Sequence, residues 1–339
     1  IFDTDRPEKG VGMAGMELRR AGGMSADTLF RRITGTGLLI LFVVLAGLIV
    51  AFVGYSNPLW TIQSPIDFLT SSTWSTGTID ESGQTVDALY GALGALFGTA
   101  ATSLIAVIFA APIGILAAIF LVEFAPPRLA APLTFVVELI AAIPSVVFGL
   151  WAAGDLSDRL RDTIEWWIAS SFGRFLPFLS EDPESPAADS VFRAGFLLAI
   201  MILPMVVAVS REFIRSVPIS LREGYIGMGA TKWEVIRDVI LPTARIGLIG
   251  GVLLALGRAI GETVAVTMVI GNAEGVPSSL FQPGQTVASK IASNIGEASG
   301  EIAIGAMAAL GLSLFLLTTV ISLVVRVLVR RFAVSGGRA

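Results

Sequence analysis

The sequence predicts an all-α integral membrane protein with six transmembrane helices. Of its 339 residues, 54% are hydrophobic and 15% are charged, with a mean hydropathy of +0.79, whereas an ordinary soluble domain has roughly 25% charged residues. A helix needs about 20 predominantly apolar residues to cross a bilayer. Six segments meet this requirement, and the predicted spans are 34–54, 92–121, 132–152, 191–209, 246–270 and 303–329.

The basic residues predict the orientation, because cytoplasmic loops carry an excess of Lys and Arg. They concentrate before the first span, between spans four and five, and after the last span: Arg19, Arg20, Arg31, Arg32; Arg211, Arg215, Arg222, Lys232, Arg237, Arg245; Arg330, Arg331, Arg338. The loops 55–91 and 271–302 hold one basic residue between them, Lys290, and the loop 153–190 has three Arg against eight Asp and Glu. We therefore expect a multi-pass protein of the cell (plasma or inner) membrane with both termini in the cytoplasm.

This topology divides the chain into four parts. Residues 1–33 form a cytoplasmic N-terminal segment, and residues 34–90 hold the first transmembrane helix and an outer loop. Residues 91–331 form the membrane core, with five transmembrane helices and a cytoplasmic loop at 220–242. Residues 332–339 form a cytoplasmic tail.

The acidic outer loop at 153–190 is expected to contain a helix. Its apolar residues recur at helical spacing: Leu156, Leu160, Ile164, Trp167, Ile168 and Phe172. Asp155 and Asp158 precede most of them, where the helix dipole favours negative charge. We expect a short helix on the outer membrane surface, and its apolar face either packs at the interface or docks a partner.

The most informative polar segment is SLREGYIGMGATKWEVIRDVILP at 220–242. Two Ser/Thr-x-x-Glu capping boxes, which satisfy backbone N–H groups at a helix start, begin at Ser220 and at Thr231. Gly229 lies between them, where a glycine can end a helix with a positive φ, and Pro242 is expected to end the second helix. The pattern predicts a helix, a glycine turn and a second helix on the cytoplasmic face.

This segment resembles the EAA loop of ABC-importer permeases, whose pattern is Glu-Ala-Ala, three residues, Gly, nine residues and Ile-x-Leu-Pro. Glu223, Gly229 and the residues 239–242 fall in this register, whereas Gly224 and Tyr225 replace the two Ala. The resemblance implies that the first short helix docks on a separate ATPase subunit and passes the movement of that subunit to the membrane spans. The alternative is a surface helical hairpin that only joins two spans. The implied coupling residues are Glu223, Gly224, Gly229, Ala230, Thr231 and Pro242.

Several classes of chemistry are excluded by composition. The chain has no Cys and no His, so disulfides, Cys- or His-ligated metal sites, thiol nucleophiles and imidazole bases are absent. The stretch GMGATK at 227–232 is not a Walker A loop, because that motif needs Gly directly before the Lys and Ser or Thr directly after it. We expect a chain that is not an enzyme, binds no metal or cofactor, and depends on a partner for ATP hydrolysis.

The predicted fifth span carries two charges, Arg258 and Glu262. Four residues apart, they are expected to share a helix face, and one charge at mid-bilayer costs roughly 2.5–3.5 kcal/mol. The functional interpretation is an oxyanion site, because a guanidinium can bond two oxygens at once, with Thr263 and Thr267 as further donors. The alternative is a structural ion pair. Two glycine pairs predict close helix packing on this span: Gly247/Gly251 and Gly257/Gly261.

The stretch RAIGETVAVTMVIGN at 258–272 resembles the permeases of the phosphate-specific ABC importer, and PstC-type subunits more than PstA-type ones. Three further stretches agree: IFLVEFAPPRL at 119–129, ELIAAIPSVVFGLW at 138–151 and AIMILPMVVAVSREFIRSVP at 199–218. The resemblance implies a type I, MetI-like bundle for ATP-driven phosphate import. Its implied partners are a PstA-like second permease, two PstB-like ATPase subunits that bind the ATP, a PstS-like extracytoplasmic phosphate-binding protein and membrane lipid, with no nucleic acid.

By position, the resemblance implies that Arg258 and Glu262 are the charged pair linked to phosphate passage. Pro144 should bend the third span, and Glu138 either belongs to the path or only reaches the membrane interface. The expected substrate-path residues are Arg258, Glu262, Thr263, Thr267, Ser145 and Glu138.

Other functions remain open from the residues alone. The nearest is a sulfate or molybdate ABC permease, in which Phe or Tyr usually follows the Glu that corresponds to Glu262. A secondary transporter or channel would transport without an ATPase. An intramembrane enzyme lacks candidate catalytic groups, and a sensor of phosphate status is tested by nothing in the sequence.

Overall fold

The computed structural model describes residues 14–79, 85–86, 88–173, 175–180 and 189–335, which are mainly helical. The chain divides into two units, Ile1–Gly54 and Tyr55–Ala339. The first unit contains most of the helix α1 (Ala14–Ser56), and the second contains all the other elements described below.

The elements follow in chain order. The helices after α1 are α2 (Pro65–Thr70), α3 (Leu93–Ile119), α4 (Pro127–Ala141), α5 (Ser145–Trp151), α6 (Ser157–Leu160), α7 (Trp166–Phe172), α8 (Val191–Arg215), α9 (Ile219–Gly227), α10 (Lys232–Glu234), α11 (Leu241–Ile260), α12 (Val264–Thr267), α13 (Val287–Asn294) and α14 (Glu301–Ser335). The π-helical turns that extend or join them are Phe120–Phe124, Ala152–Leu156, Arg161–Glu165 and Val235–Ile240, and 3₁₀ turns lie at Leu59–Thr61 and Pro177–Leu179. The strands β1 (Trp74–Ser75) and β4 (Leu89–Tyr90) pair antiparallel, as do β2 (Thr78–Ile79) and β3 (Thr85–Val86).

Six membrane crossings remain possible, as expected, but one of them is bent. Five helical segments of the described chain are long and apolar enough to cross a membrane: Asp27–Ser56, Leu93–Phe124, Val191–Arg215, Lys232–Ile260 and Glu301–Val327. A sixth crossing results if the bent pair Pro127–Ala141 and Ser145–Phe172 is counted as one span. The protein is therefore an all-α, multi-pass membrane protein.

The bend that was expected at Pro144 in the third span, 132–152, is confirmed. The helix α4 ends at Ala141, a new helix starts at Ser145, and the two are bent by 89°. Pro144 explains the break, because proline lacks an N–H group and disfavours helical backbone at the residue before it. The second part continues through π-helical turns to Phe172, so the outer helix expected over 156–172 is helical but is an extension of α5.

The core of the second unit forms where α8 packs against α3 and α11. Close approach at Gly247 and Gly251 is confirmed: an added Cβ would lie 2.0 Å from Cδ1 of Phe213 and 2.7 Å from Cγ1 of Val209, respectively. A Cβ on Gly257 would meet nothing within 4 Å among the described residues. The second glycine pair therefore makes no close packing within this part of the chain, contrary to expectation.

The segment 271–302 buries its basic residue. Lys290, on α13, is 3% exposed, and its Nζ lies 3.0 Å from Oε1 of Glu274 and 4.4 Å from the ring centroid of Trp74. Trp74 in turn packs edge-on against Tyr90. Burial lowers the pKa of Lys290, and Glu274 partly opposes this effect.

Candidate functional site

The fifth span is broken between the two charged residues predicted to share one helix face. Arg258 lies in the last turn of α11, which ends at Ile260, and Gly261 follows as the C-terminal cap. Glu262 lies in the break, where its Oε1 accepts a hydrogen bond of 3.4 Å from the backbone N–H of Ala265 at the start of α12. A carboxylate that accepts from a nearby backbone N–H stabilises a helix start and competes with continuation of the helix before it. The expectations of one continuous helix over 246–270 and of a shared helix face are therefore wrong.

Arg258 is exposed on the surface of α11, and Glu262 is half-buried. Among the described residues these two side chains form no ion pair with each other, and Arg258 has no other ion-pair partner. An unpaired guanidinium facing lipid is costly. This surface therefore needs water or another protein against it.

The two threonines after Glu262 are bonded to the backbone of the break. The hydroxyl of Thr267 donates to the carbonyl oxygen of Thr263 at 2.7 Å, and the hydroxyl of Thr263 donates to that of Gly261 at 3.3 Å. The side-chain amide of Asn272 donates to the carbonyl oxygen of Thr267 at 2.8 Å. The bonds from Thr263 and Asn272 occupy the carbonyl groups of Gly261 and Thr267, which a continuous helix would otherwise have satisfied, whereas the carbonyl of Thr263 also accepts from the backbone N–H of Thr267 at 3.0 Å. Both threonine hydroxyls therefore bond to the local backbone in this geometry.

The two short helices that follow the breaks, α5 and α12, pack against each other. A Cβ on Gly149 of α5 would lie 2.8 Å from Sδ of Met268 and 3.0 Å from Cα of Ala265. The half-buried Ser145 begins α5, as Glu262 precedes α12. Irregular backbone at membrane depth is tolerated only inside protein or along a water-filled cavity, and discontinuous helices mark the binding sites of many transporters.

Glu138 is paired with a residue that the sequence had indicated only as a cytoplasmic loop charge. Nη2 of Arg211 lies 3.6 Å from Oε1 of Glu138, and Nη1 donates to Oγ1 of Thr134 at 2.5 Å. The side chain of Arg211 is 17% exposed and that of Glu138 is 60% exposed. Glu138 therefore lies on the side of α4 that faces Arg211 of α8, and its carboxylate remains open to solvent or a ligand. The sequence signal that could have identified Arg211 was its position directly after span four, on the same helical segment.

A second pair, missed by the sequence analysis, is fully buried at the other end of α8. Glu165 and Arg193 are 0% and 1% exposed, and Oε2 of Glu165 accepts from Nε and Nη2 of Arg193 at 3.0 Å and 2.6 Å. Ser190 donates to Oε1 of Glu165 at 2.8 Å and caps α8. Burial raises the pKa of Asp189 beside this pair, and Arg193 partly offsets it. An arginine inside an apolar segment was the signal available in the sequence.

The loop at 220–242 contains the predicted two helices with a glycine between them. α9 ends at Gly227, Gly229 has a φ of +94°, and α10 begins after Thr231. Thr231 and Glu234 form the predicted capping box. Gly224 and Ala230 lie within α9 and in the turn, respectively, and Glu223 is exposed.

Two details of this loop differ from the sequence prediction. α9 starts at Ile219 after Pro218, without a side-chain cap, so Ser220 lies inside the helix and forms no capping box. Pro242 does not end the second helix, because helical structure is continuous over Lys232–Ile260. Pro242 lies directly after the π-helical turn Val235–Ile240, and local π-helical adjustment accommodates a proline inside a membrane helix.

Comparison with known proteins identifies the family. The family model described as "Binding-protein-dependent transport system inner membrane component" matches residues 110–334. Similar curated proteins are each named "Phosphate transport system permease protein PstC". That of Mesorhizobium japonicum is 38% identical over 92% of both chains. That of Pasteurella multocida is 38% identical over 95% of this chain and 97% of its own.

A third relative, from Haemophilus influenzae, is 36% identical over 92% of this chain and 96% of its own. The similarity to these relatives extends along almost the whole chain, and the range of the family model includes both broken spans and the loop at 220–242. The chain therefore belongs to the inner-membrane components of binding-protein-dependent transport systems, as a PstC-type permease.

Proposed function

We propose that this chain is a transmembrane permease subunit of an ATP-driven phosphate importer and lines the translocation path together with a second permease subunit. The observation that carries the proposal is Arg258, an exposed arginine that lies beside a break in a membrane span and has no ion-pair partner in the described part of the chain. The relatives that match this chain over almost its whole length are named as phosphate transport permeases. A guanidinium fork also suits the paired oxygens of phosphate.

In this proposal Arg258 binds the passing anion, and Glu262 limits how tightly it is held. A site that bound phosphate too strongly would not release it, so a carboxylate one helix break away has a purpose. Ser145, Thr263 and Thr267 line the neighbouring breaks as hydroxyl-bearing residues. Glu138, with its exposed carboxylate, lies further toward the cytoplasm.

The proposed partners follow from the exposed surfaces. A PstA-like permease covers the face that carries Arg258, which would otherwise leave a charge in lipid. Two PstB-like ATPase subunits bind the ATP, and α9 docks on one of them through Glu223 and its exposed apolar residues, among them Ile219 and Ile226. A PstS-like protein delivers phosphate to the acidic outer face, where free diffusion of an anion is disfavoured. Both termini lie in the cytoplasm, and the chain itself holds no cofactor.

The test is uptake of labelled phosphate into proteoliposomes that contain the assembled complex, with ATP on the side of the ATPase subunits. We expect uptake that requires ATP and persists in excess sulfate or molybdate. Uptake erased by sulfate or molybdate would instead indicate a neighbouring oxyanion permease, which the relatives do not favour. Uptake without ATP would indicate a secondary transporter.

A further inference from the structure

Glu123, which lies just beyond the end of α3, contacts both helices of the cytoplasmic loop. Its carboxylate forms an ion pair with Nη1 of Arg222 on α9, and its backbone carbonyl oxygen accepts a hydrogen bond of 2.6 Å from Nζ of Lys232 on α10. The side chains of Glu123 and Arg222 are 11% and 16% exposed. Nζ of Lys232 also lies 5.0 Å from the ring centroid of Phe124.

Arg222 extends the same contact to a second membrane span. Its Nη2 donates a hydrogen bond to the backbone carbonyl oxygen of Ile214, in the last turn of α8. One guanidinium therefore joins α9 to the cytoplasmic ends of α3 and α8. Those two helices are packed closely, because a Cβ on Gly114 would lie 2.6 Å from Cγ1 of Val206.

The helix α9 thus has two different faces. Ile219, Glu223 and Ile226 are exposed on one of them. Arg222 and Tyr225 lie on the other, where Tyr225 packs against the buried cluster at the cytoplasmic ends of α3, α8 and α11. A force applied to the exposed face must pass through the second face to reach the spans.

We propose that Glu123 is a positioning residue that transmits movement of α9 and α10 to α3 and α8 during transport. The proposal rests on the proposed function, in which α9 is moved by an ATPase subunit. A charge-assisted bond between largely buried groups is strong and is costly to break. When α9 moves, the ends of α3 and α8 therefore move with it, whereas a loop held only by apolar contacts could slide.

The experiment measures phosphate uptake and ATP hydrolysis in the same proteoliposomes that contain the full complex, and compares their ratio between variants. Glu123→Gln keeps the size of the side chain and removes its charge. We expect the phosphate transported per ATP to fall by about fivefold or more, the lower end of typical coupling effects, while the complex still assembles. Glu212→Gln is the matched control, because Glu212 is exposed at the same end of α8, and its ratio should equal that of the wild type.

Three further variants separate transmission from simple stability. The double exchange Glu123→Lys with Arg222→Glu restores an opposite-charge pair, and we expect the ratio to rise above that of Glu123→Lys alone. Arg222→Lys replaces the planar guanidinium, whose two Nη groups bond Glu123 and the Ile214 carbonyl separately, by a compact ammonium group, so its ratio should also fall. This variant provides the test if Glu123→Gln does not assemble. If an assembled variant transports the same amount of phosphate per ATP as the wild type, the inference is overturned, even if uptake and ATP hydrolysis both fall in proportion. Absence of ATP-dependent uptake in the wild type would instead overturn the proposed function.

Discussion

Arg258 and Glu262 lie on opposite sides of a helix end, although their spacing of four would place them on one face of an unbroken helix. Arg258 is in the last turn of α11, and Glu262 accepts a hydrogen bond from the N–H group of Ala265 beyond the break. The carboxylate is therefore engaged in holding α12, and the guanidinium is left to interact with groups outside the described chain.

Replacing Arg258 should separate transport from folding. Because Arg258 has no ion-pair partner among the described residues, Arg258→Gln should change the free energy of unfolding by no more than about 0.5 kcal/mol. Phosphate uptake by the assembled complex should fall to background. Arg128→Gln, at another exposed arginine, should leave uptake intact. Loss of assembly in Arg258→Gln would instead favour a structural ion pair with a partner subunit.

Reversing the charge of Glu223 should uncouple the two activities. Glu223 is exposed on α9, so Glu223→Lys should insert and fold normally while its contact with an ATPase subunit is lost. We expect ATP hydrolysis without phosphate uptake. Glu212→Lys provides the same charge reversal on the exposed end of α8 and should transport normally. Normal phosphate uptake in Glu223→Lys would remove Glu223 from the coupling role.

The packing of α5 on α12 should tolerate no added methyl group. In Gly149→Ala, the new Cβ would lie 2.8 Å from Met268 and 3.0 Å from the backbone of Ala265, and overpacking of this kind costs about 1–3 kcal/mol. Gly250→Ala is the control, because its Cβ meets nothing within 4 Å. Only Gly149→Ala should lower both the stability against unfolding in detergent and the uptake of phosphate. Equal stability of the two would show that the two broken spans do not pack as described.

Breaking the buried pair of Glu165 and Arg193 should destabilise the protein far more than breaking the exposed pair beside it. Removing one partner of a buried pair leaves a charge without compensation, which costs about 3–5 kcal/mol. We therefore expect Glu165→Gln to lower the free energy of unfolding by an amount near this range, measured by denaturant unfolding in detergent. Asp162→Asn, which breaks an exposed contact with Arg161, should cost less than about 1 kcal/mol. Similar losses for both variants would contradict the burial of Glu165.

Lys290 should make the protein relatively more stable at alkaline pH. Burial lowers the pKa of Lys290 below 10.5 in the folded state, so between that lowered value and 10.5 the unfolded chain binds more protons than the folded one. Stability then rises with pH across this window and is lost as pH falls through the folded-state pKa. The stability of the wild type relative to Lys290→Met should therefore increase toward pH 10.5. A constant or falling difference would argue against burial of the ammonium group.

The sequence predicted most of the helices correctly because their signals are local. Thr231 with Glu234 and the positive φ of Gly229 were confirmed because capping and glycine turns depend on neighbouring residues. The prediction at Ser220 was wrong because α9 starts one residue earlier, at Ile219 after Pro218. The prediction at Pro242 was wrong because the π-helical turn Val235–Ile240 leads directly into α11 and the helix continues.

The sequence by itself determined the membrane class, the long apolar segments and the two helices of the 220–242 loop, since each depends on hydrophobicity, length and spacing along the chain. Only the tertiary structure decided the partners of the charged groups. The pairs Glu165–Arg193 and Glu123–Arg222 are 28 and 99 residues apart in sequence. Such pairing is set by how the helices pack and by the need to compensate each buried charge, and neither is written in the periodicity of one segment.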